Sequence, residues 1–180
     1  KFVRKLARKH GSDKTFLLKS PANTARIPLL LELYPQAKFV YIHRDPYKTI
    51  PSSIHLYKTW YEMEAFHDNT ELKNGLTEDV FSVYELINKK WLEDEKLIDP
   101  KNKITIRFSE LQQNTKEEIE RIYQYFELGM LNEELFNAYL KSIAGYEKNN
   151  YPPLDLDLKD EISKRASFVC DHFGYPGQTN

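Results

Sequence analysis

The sequence predicts an α/β protein, with a parallel sheet flanked by helices and a helical C-terminal half. Three observations carry that expectation. Short apolar runs at 15–19 (TFLLK), 38–43 (KFVYIH) and from 103 (KITIRFSEL) are too short for helices and read as strands. A segment with apolar residues at helical spacing joins the first two through very short connections, a strand–helix–strand unit that favours parallel, right-handed pairing. After the third run the chain shows helical periodicity alone.

The totals set the outer limits. A length of 180 residues suits one domain with a real core, and 41% hydrophobic residues with a net charge of −1 is globular chemistry, not disorder. That charge gives no support for general nucleic-acid binding. Cys170 is the single cysteine, so no internal disulfide and no cysteine metal cluster can form. This fits a reducing compartment and favours a cytoplasmic location. No run of about 18 apolar residues is present to span a membrane, and no signal peptide is visible. The chain opens on Lys1 inside KFVRKLARKH, which reads as the end of a basic amphipathic helix stopped by Gly11. The expectation is therefore that residues 1–180 are a single-domain, C-terminal portion of something longer. A membrane anchor upstream stays open.

The elements follow in order. TFLLK ends at Ser20-Pro21, which blocks continuation. Asn23 or Thr24 can cap the next helix, whose apolar side is Ile27, Leu30, Leu31 and Tyr34, with Pro28 in its first turn and Pro35 at its end. KFVYIH is the second strand. Pro46 suits the first turn of a new helix running toward Phe66, which Pro51 should bend or divide. HDNTELKNG reads as a polar loop. Residues 77–98 form a long helix with Val80, Phe81, Tyr84, Ile87, Trp91 and Leu92 as its stripe. KITIRFSEL is the third strand. Three helices then begin near NTKEEI, LNEELF and LKDEIS, each acidic in its first turn, as the helix dipole favours. NNYPPLDLD is a surface crossing.

Ligands of an open parallel sheet bind beyond the carboxyl ends of its strands. There the first strand carries Lys19, the second His43 and Arg44, and the third Phe108 and Ser109. Two cations at one edge repel unless an anion lies between them. Arg44 presents a planar fork of donors suited to phosphate, and Lys19 a compact charge. Ser52 adds a hydroxyl, and the N–H groups at the start of its helix could add more. Lys19, Arg44 and Ser52 are thus expected to converge on one side of the sheet, with Arg44 and Ser52 as the two sides of a phosphate site. The plainer reading stays open beside it: Arg44 pairs with Asp45 or a C-terminal carboxylate, and Ser52 packs within a helix. His43 is expected to make a structural hydrogen bond, and Tyr57, Trp60 and Tyr61 to serve in core or lid packing. The remaining histidines lack zinc-ligand spacing.

The stretch LLKSPANTARIPLLLELYPQAKFVYIHRDPYKTIPSSIHLY resembles the sulfotransferases that use 3′-phosphoadenosine-5′-phosphosulfate. The shared pattern is a lysine-proline segment, a helix, an apolar strand, Arg-Asp-Pro, and a serine eight residues after the arginine. ITIRFSELQQNTKEEIERIYQYFEL is similar to the family's later strand end and helix. The resemblance implies a P-loop-like nucleotide fold, without a metal. Arg44 and Ser52 would hold the 3′-phosphate, Lys19 would reach the transferring sulfonyl group, and Phe108 would lie against adenine. The acceptor would be a hydroxyl or amine, and the product adenosine 3′,5′-bisphosphate. Three departures stand out. No glycine-rich 5′-phosphosulfate loop precedes Thr15, so the fragment alone is expected to be inactive. Asn23 stands near a position where many members carry a histidine base. Phe108 and Ser109 replace a tyrosine and an acid. A kinase of the same fold would need Gly-Lys-Ser/Thr and a magnesium site, and neither is visible. A non-catalytic anion-binding domain eroded from a transferase is the other alternative.

Overall fold

Alternation at residues 39–43 and 103–107 produces the sheet at the centre of the fold, seen in a computed structural model that describes residues 2–11, 14–64, 70–146 and 153–177. Strand β1 (Phe39–His43) and strand β2 (Lys103–Arg107) pair in parallel, from Phe39 opposite Lys103 to His43 opposite Arg107. Successive side chains leave a strand on opposite faces. Phe39 and Tyr41 therefore meet one helical layer, in a cluster with Ile27, Trp91 and Ile98. Ile104 and Ile106 meet the other, packing with Phe126, Leu111 and Ile122. Val40 and Ile42 share that second face in register with Ile104 and Ile106, yet remain 37% and 47% exposed.

The expected first strand does not form. Residues 15–20 join no ladder, and Leu17 is 93% exposed. A short apolar run becomes a strand only by pairing its backbone groups with a neighbour, and among the described residues the sheet has two strands. The parallel crossover consequently runs from β1 to β2, through helices α3 and α4, and not through the short helix before β1.

Helix α1 (Phe2–His10) is the expected basic helix. Gly11 stops it at φ 99°, its N–H bonded to the Ala7 carbonyl, a left-handed conformation that glycine enters without a Cβ penalty. A 3-10 turn at Pro21–Ala25 leads into α2 (Ile27–Leu33). Helix α3 (Pro46–Glu64) continues undivided through Pro51. Helix α4 (Thr70–Asp94) starts inside the segment read as a polar loop, whose residues 67–69 lie outside the described ones. The 3-10 turn of Pro21–Ala25 and helices α2 and α3 all lie against α4.

After β2 come α5 (Phe108–Gln113), α6 (Thr115–Tyr125), α7 (Glu133–Ile143), α8 (Leu156–Arg165) and α9 (Ser167–Phe173). Side chains cap α7 and α8, where Asn132 Oδ1 accepts from the Leu135 N–H at 2.9 Å and Asp155 Oδ1 from the Leu158 N–H at 2.7 Å, whereas Asn114 makes no side-chain cap bond at the start of α6. The last helix expected from LKDEIS divides at Ala166 into α8 and α9. Both pack on α3 and α4 in a cluster of Tyr47, Ile50, Val80, Phe81, Ile162, Ala166, Cys170 and Tyr175. Arg165 bridges the layers, bonding Glu85 at 2.5 Å and Glu78 at 2.6 Å. No helix among the described residues is long and apolar enough to cross a membrane.

Candidate functional site

The parallel register fixes what meets at the carboxyl edge. His43 and Arg107 are the final pair of the ladder, so Arg44 and Phe108 leave the sheet side by side. They touch: the Arg44 guanidinium lies over the Phe108 ring, 4.9 Å from its centroid. A cation held on an aromatic face keeps its in-plane N–H donors free to bind an anion. Arg44 remains exposed.

Asp45 is not the partner of Arg44. Its carboxylate caps α3, accepting from the Tyr47 N–H at 2.9 Å. The Asp45 carbonyl takes the N–H groups of Lys48 and Thr49. Pro46 has no N–H. The first-turn donors of α3 are thus already used, which corrects the expectation that they would help hold an anion. An anion at this edge cannot draw on the first-turn N–H groups of α3.

Helix α3 carries Ser53 beside the candidate Ser52. The Ser53 hydroxyl donates to the Thr49 carbonyl at 2.9 Å, a local bond along the helix. Ser52 is half-buried two turns into α3. Lys19 is exposed on the extended segment just before the Pro21 turn. The structure therefore joins Arg44 and Phe108 directly and sets Ser52 on the helix that Arg44 introduces. Lys19 comes from a separate segment.

Behind this edge lies a group that sequence reading missed. His43 is buried at 8% exposure, its ring stacked on Phe173 at 4.1 Å. His43 Nδ1 lies 2.7 Å from the Tyr175 hydroxyl, the structural hydrogen bond anticipated for it. Burial first, then the electrostatic effect of Arg107 and His172, pulls the His43 imidazole down to about 4, so it is neutral at pH 7. Arg107 Nη2 donates to the Phe173 carbonyl at 2.6 Å, and its guanidinium covers the Tyr175 ring at 4.4 Å. Burial pushes the Tyr175 hydroxyl up to about 12. The available signals were the cation ending β2 and the two aromatics flanking the helix-stopping Gly174.

Of the α3 aromatics, Tyr47 is core, whereas Tyr57, Trp60 and Tyr61 are not. Tyr57 and Trp60 face outward, with ring centroids 6.2 Å apart, and Tyr61 is half-buried. Asn23 is half-buried in the Pro21–Ala25 turn. His67 lies outside the described residues.

Two parallel strands, helices on both faces and a cation–aromatic pair at the carboxyl edge define an α/β domain with a candidate anion site at its strand ends. Residues 1–132 match the sulfotransferase family model, and the chain belongs to the sulfotransferase family. It is 34% identical over 168 residues to the omega-hydroxy-beta-dihydromenaquinone-9 sulfotransferase Stf3 of Mycobacterium bovis and of Mycobacterium tuberculosis. Those alignments cover 92% of this chain and 42% of each relative. The chain thus spans less than half the length of the curated relatives it matches. The crystal structure of sulfotransferase STF9 from Mycobacterium avium superposes with a TM-score of 0.78, at 18% identity, over 99% of this chain and 46% of that one. The likeness gives the fold, a P-loop-like sulfotransferase α/β architecture.

Proposed function

We propose that the protein containing this chain transfers a sulfonyl group from 3′-phosphoadenosine-5′-phosphosulfate to an acceptor hydroxyl. The observation that carries the reading is the Arg44–Phe108 pair at the carboxyl edge of β1 and β2, within a chain of the sulfotransferase family. Arg44 binds the 3′-phosphate through its planar fork, and Ser52 adds a hydroxyl donor from α3. Phe108 offers an apolar face to the adenine. The named acceptor of the curated relatives is an omega-hydroxy compound, which supports a hydroxyl over an amine here.

In the reaction, the acceptor oxygen attacks sulfur in line. The new O–S bond forms as the bond from sulfur to the bridging oxygen breaks. The electron pair leaves on the 5′-phosphate of adenosine 3′,5′-bisphosphate, and the hydroxyl proton is released. Negative charge builds on the bridging and peripheral oxygens, where the Lys19 ammonium offsets it. No step calls on a metal.

The test is a radiolabel transfer assay with the full-length protein, the ³⁵S-labelled donor and a long-chain primary alcohol or an omega-hydroxylated prenylquinone. A labelled sulfate ester should appear in step with adenosine 3′,5′-bisphosphate. Lys19→Ala should lower kcat by about 10²–10³-fold, in the range seen when one charge-stabilising donor is removed. Unchanged kcat in that variant would remove Lys19 from the chemistry. Absence of transfer to either acceptor from a folded, donor-binding protein would count against the proposed acceptor class.

A further inference from the structure

The end of the described chain reaches back to the nucleotide edge. Helix α9 stops at Phe173, and Gly174 turns the backbone left-handed at φ 64° and ψ 41°. The next residue, Tyr175, is returned to the core, with its N–H on the Cys170 carbonyl at 2.9 Å. Two residues thereby touch both strand ends at once. Phe173 stacks on His43 and accepts from Arg107, while Tyr175 meets the His43 ring through its hydroxyl and the Arg107 guanidinium through its ring face. His43 and Arg107 are the residues immediately before Arg44 and Phe108.

We infer that the segment Phe173–Tyr175 is a positioning clamp for the nucleotide site, with Tyr175 and Arg107 as positioning residues that hold Arg44 and Phe108 in binding geometry. The inference rests on the proposed roles of Arg44 and Phe108. The physical reason is local. Arg44 lies just beyond the last ladder pair and has no further strand residue to fix its backbone direction. Both residues of that pair are held from the same side by the clamp. A bidentate contact to phosphate tolerates little displacement. Loosening His43 or Arg107 therefore costs the 3′-phosphate contact before it costs the fold.

The experiment measures, in the full-length protein, the ratio of affinities for adenosine 3′,5′-bisphosphate and adenosine 5′-phosphate. Tyr175→Phe removes the hydroxyl contact to His43 and keeps the ring under Arg107. Arg107→Lys keeps the charge but loses the planar cover of Tyr175 together with the bond to Phe173. Each should lower the bisphosphate affinity by roughly three- to tenfold, the weight of one hydrogen bond, and leave the monophosphate nearly unchanged. Thermal unfolding is measured alongside, because a merely structural role would lower Tm without changing the ratio. Arg44→Ala serves as the reference. If Arg44→Ala is selective and both clamp variants are not, the clamp inference is overturned while the site survives. If Arg44→Ala itself shows no selectivity, the site assignment fails and takes the clamp with it.

Discussion

His43 makes the stability of the fold depend on pH in a predictable window. Its imidazole is held near 4 in the folded chain, against about 6.5 for an unfolded histidine. The groups facing it are Tyr175, Arg107 and His172, and His172 in turn lies 3.5 Å from Glu95. A depressed folded value means that the unfolded chain binds the proton first. The stabilisation is complete above about pH 6.5 and falls steadily as the pH drops toward 4. At 1.36 kcal/mol for each pH unit of difference, the loss is about 3 kcal/mol across that window. His43→Gln keeps a neutral polar group of similar reach and removes the titration. Urea unfolding of both proteins between pH 8 and 4.5 is the assay. The variant should start less stable, because it forfeits the stack on Phe173, and the gap should then shrink by most of that 3 kcal/mol as the pH falls. Carboxylates held low by ion pairs, such as Glu78 and Glu85, titrate alike in both proteins and cancel. Two parallel stability curves would refute the reasoning, since the imidazole would then titrate normally in the folded state.

Two further outcomes follow from particular contacts. Ser53→Ala should leave nucleotide affinity unchanged, because its hydroxyl is spent on the Thr49 carbonyl, whereas Ser52→Ala should weaken the bisphosphate by a few-fold in titration calorimetry. Trp91→Ala should cost about 3–5 kcal/mol in urea unfolding, because Trp91 is buried and stacks on Tyr41 at 3.9 Å in the cluster that joins α4 to β1.

The candidate edge was legible in the sequence because its determinants are local. An apolar run followed by Arg-Asp-Pro marks a strand end and a helix start within a few residues, and both form as read, with Asp45 adding a cap. The same locality hid the consequence of Asp45, which takes up the first-turn donors of α3 and withdraws them from an anion. TFLLK misled because its composition suits a strand, while strand formation depends on a partner that composition cannot supply. The clamp was illegible for the same reason. His43 and Tyr175 are 132 residues apart in sequence, and only the packing of α9 on α3 and α4 brings them together. The outward-facing Tyr57 and Trp60 rule out core packing for that pair, since aromatic content at helical spacing predicts burial only where a second layer covers the helix.

The central claim, that Arg44 holds a 3′-phosphate, is tested most directly by calorimetric titration of the full-length protein and its Arg44→Ala variant with two nucleotides. A charge-assisted hydrogen bond contributes about 1.5–3 kcal/mol, so the variant should bind adenosine 3′,5′-bisphosphate about ten- to a hundredfold more weakly. Its affinity for adenosine 5′-phosphate should hardly change, because that ligand has no group for Arg44 to lose. Arg44→Lys should restore only part of the difference, keeping the charge without the fork. An equal loss for both nucleotides would contradict the account and leave Arg44 as a support for the fold or for another phosphate.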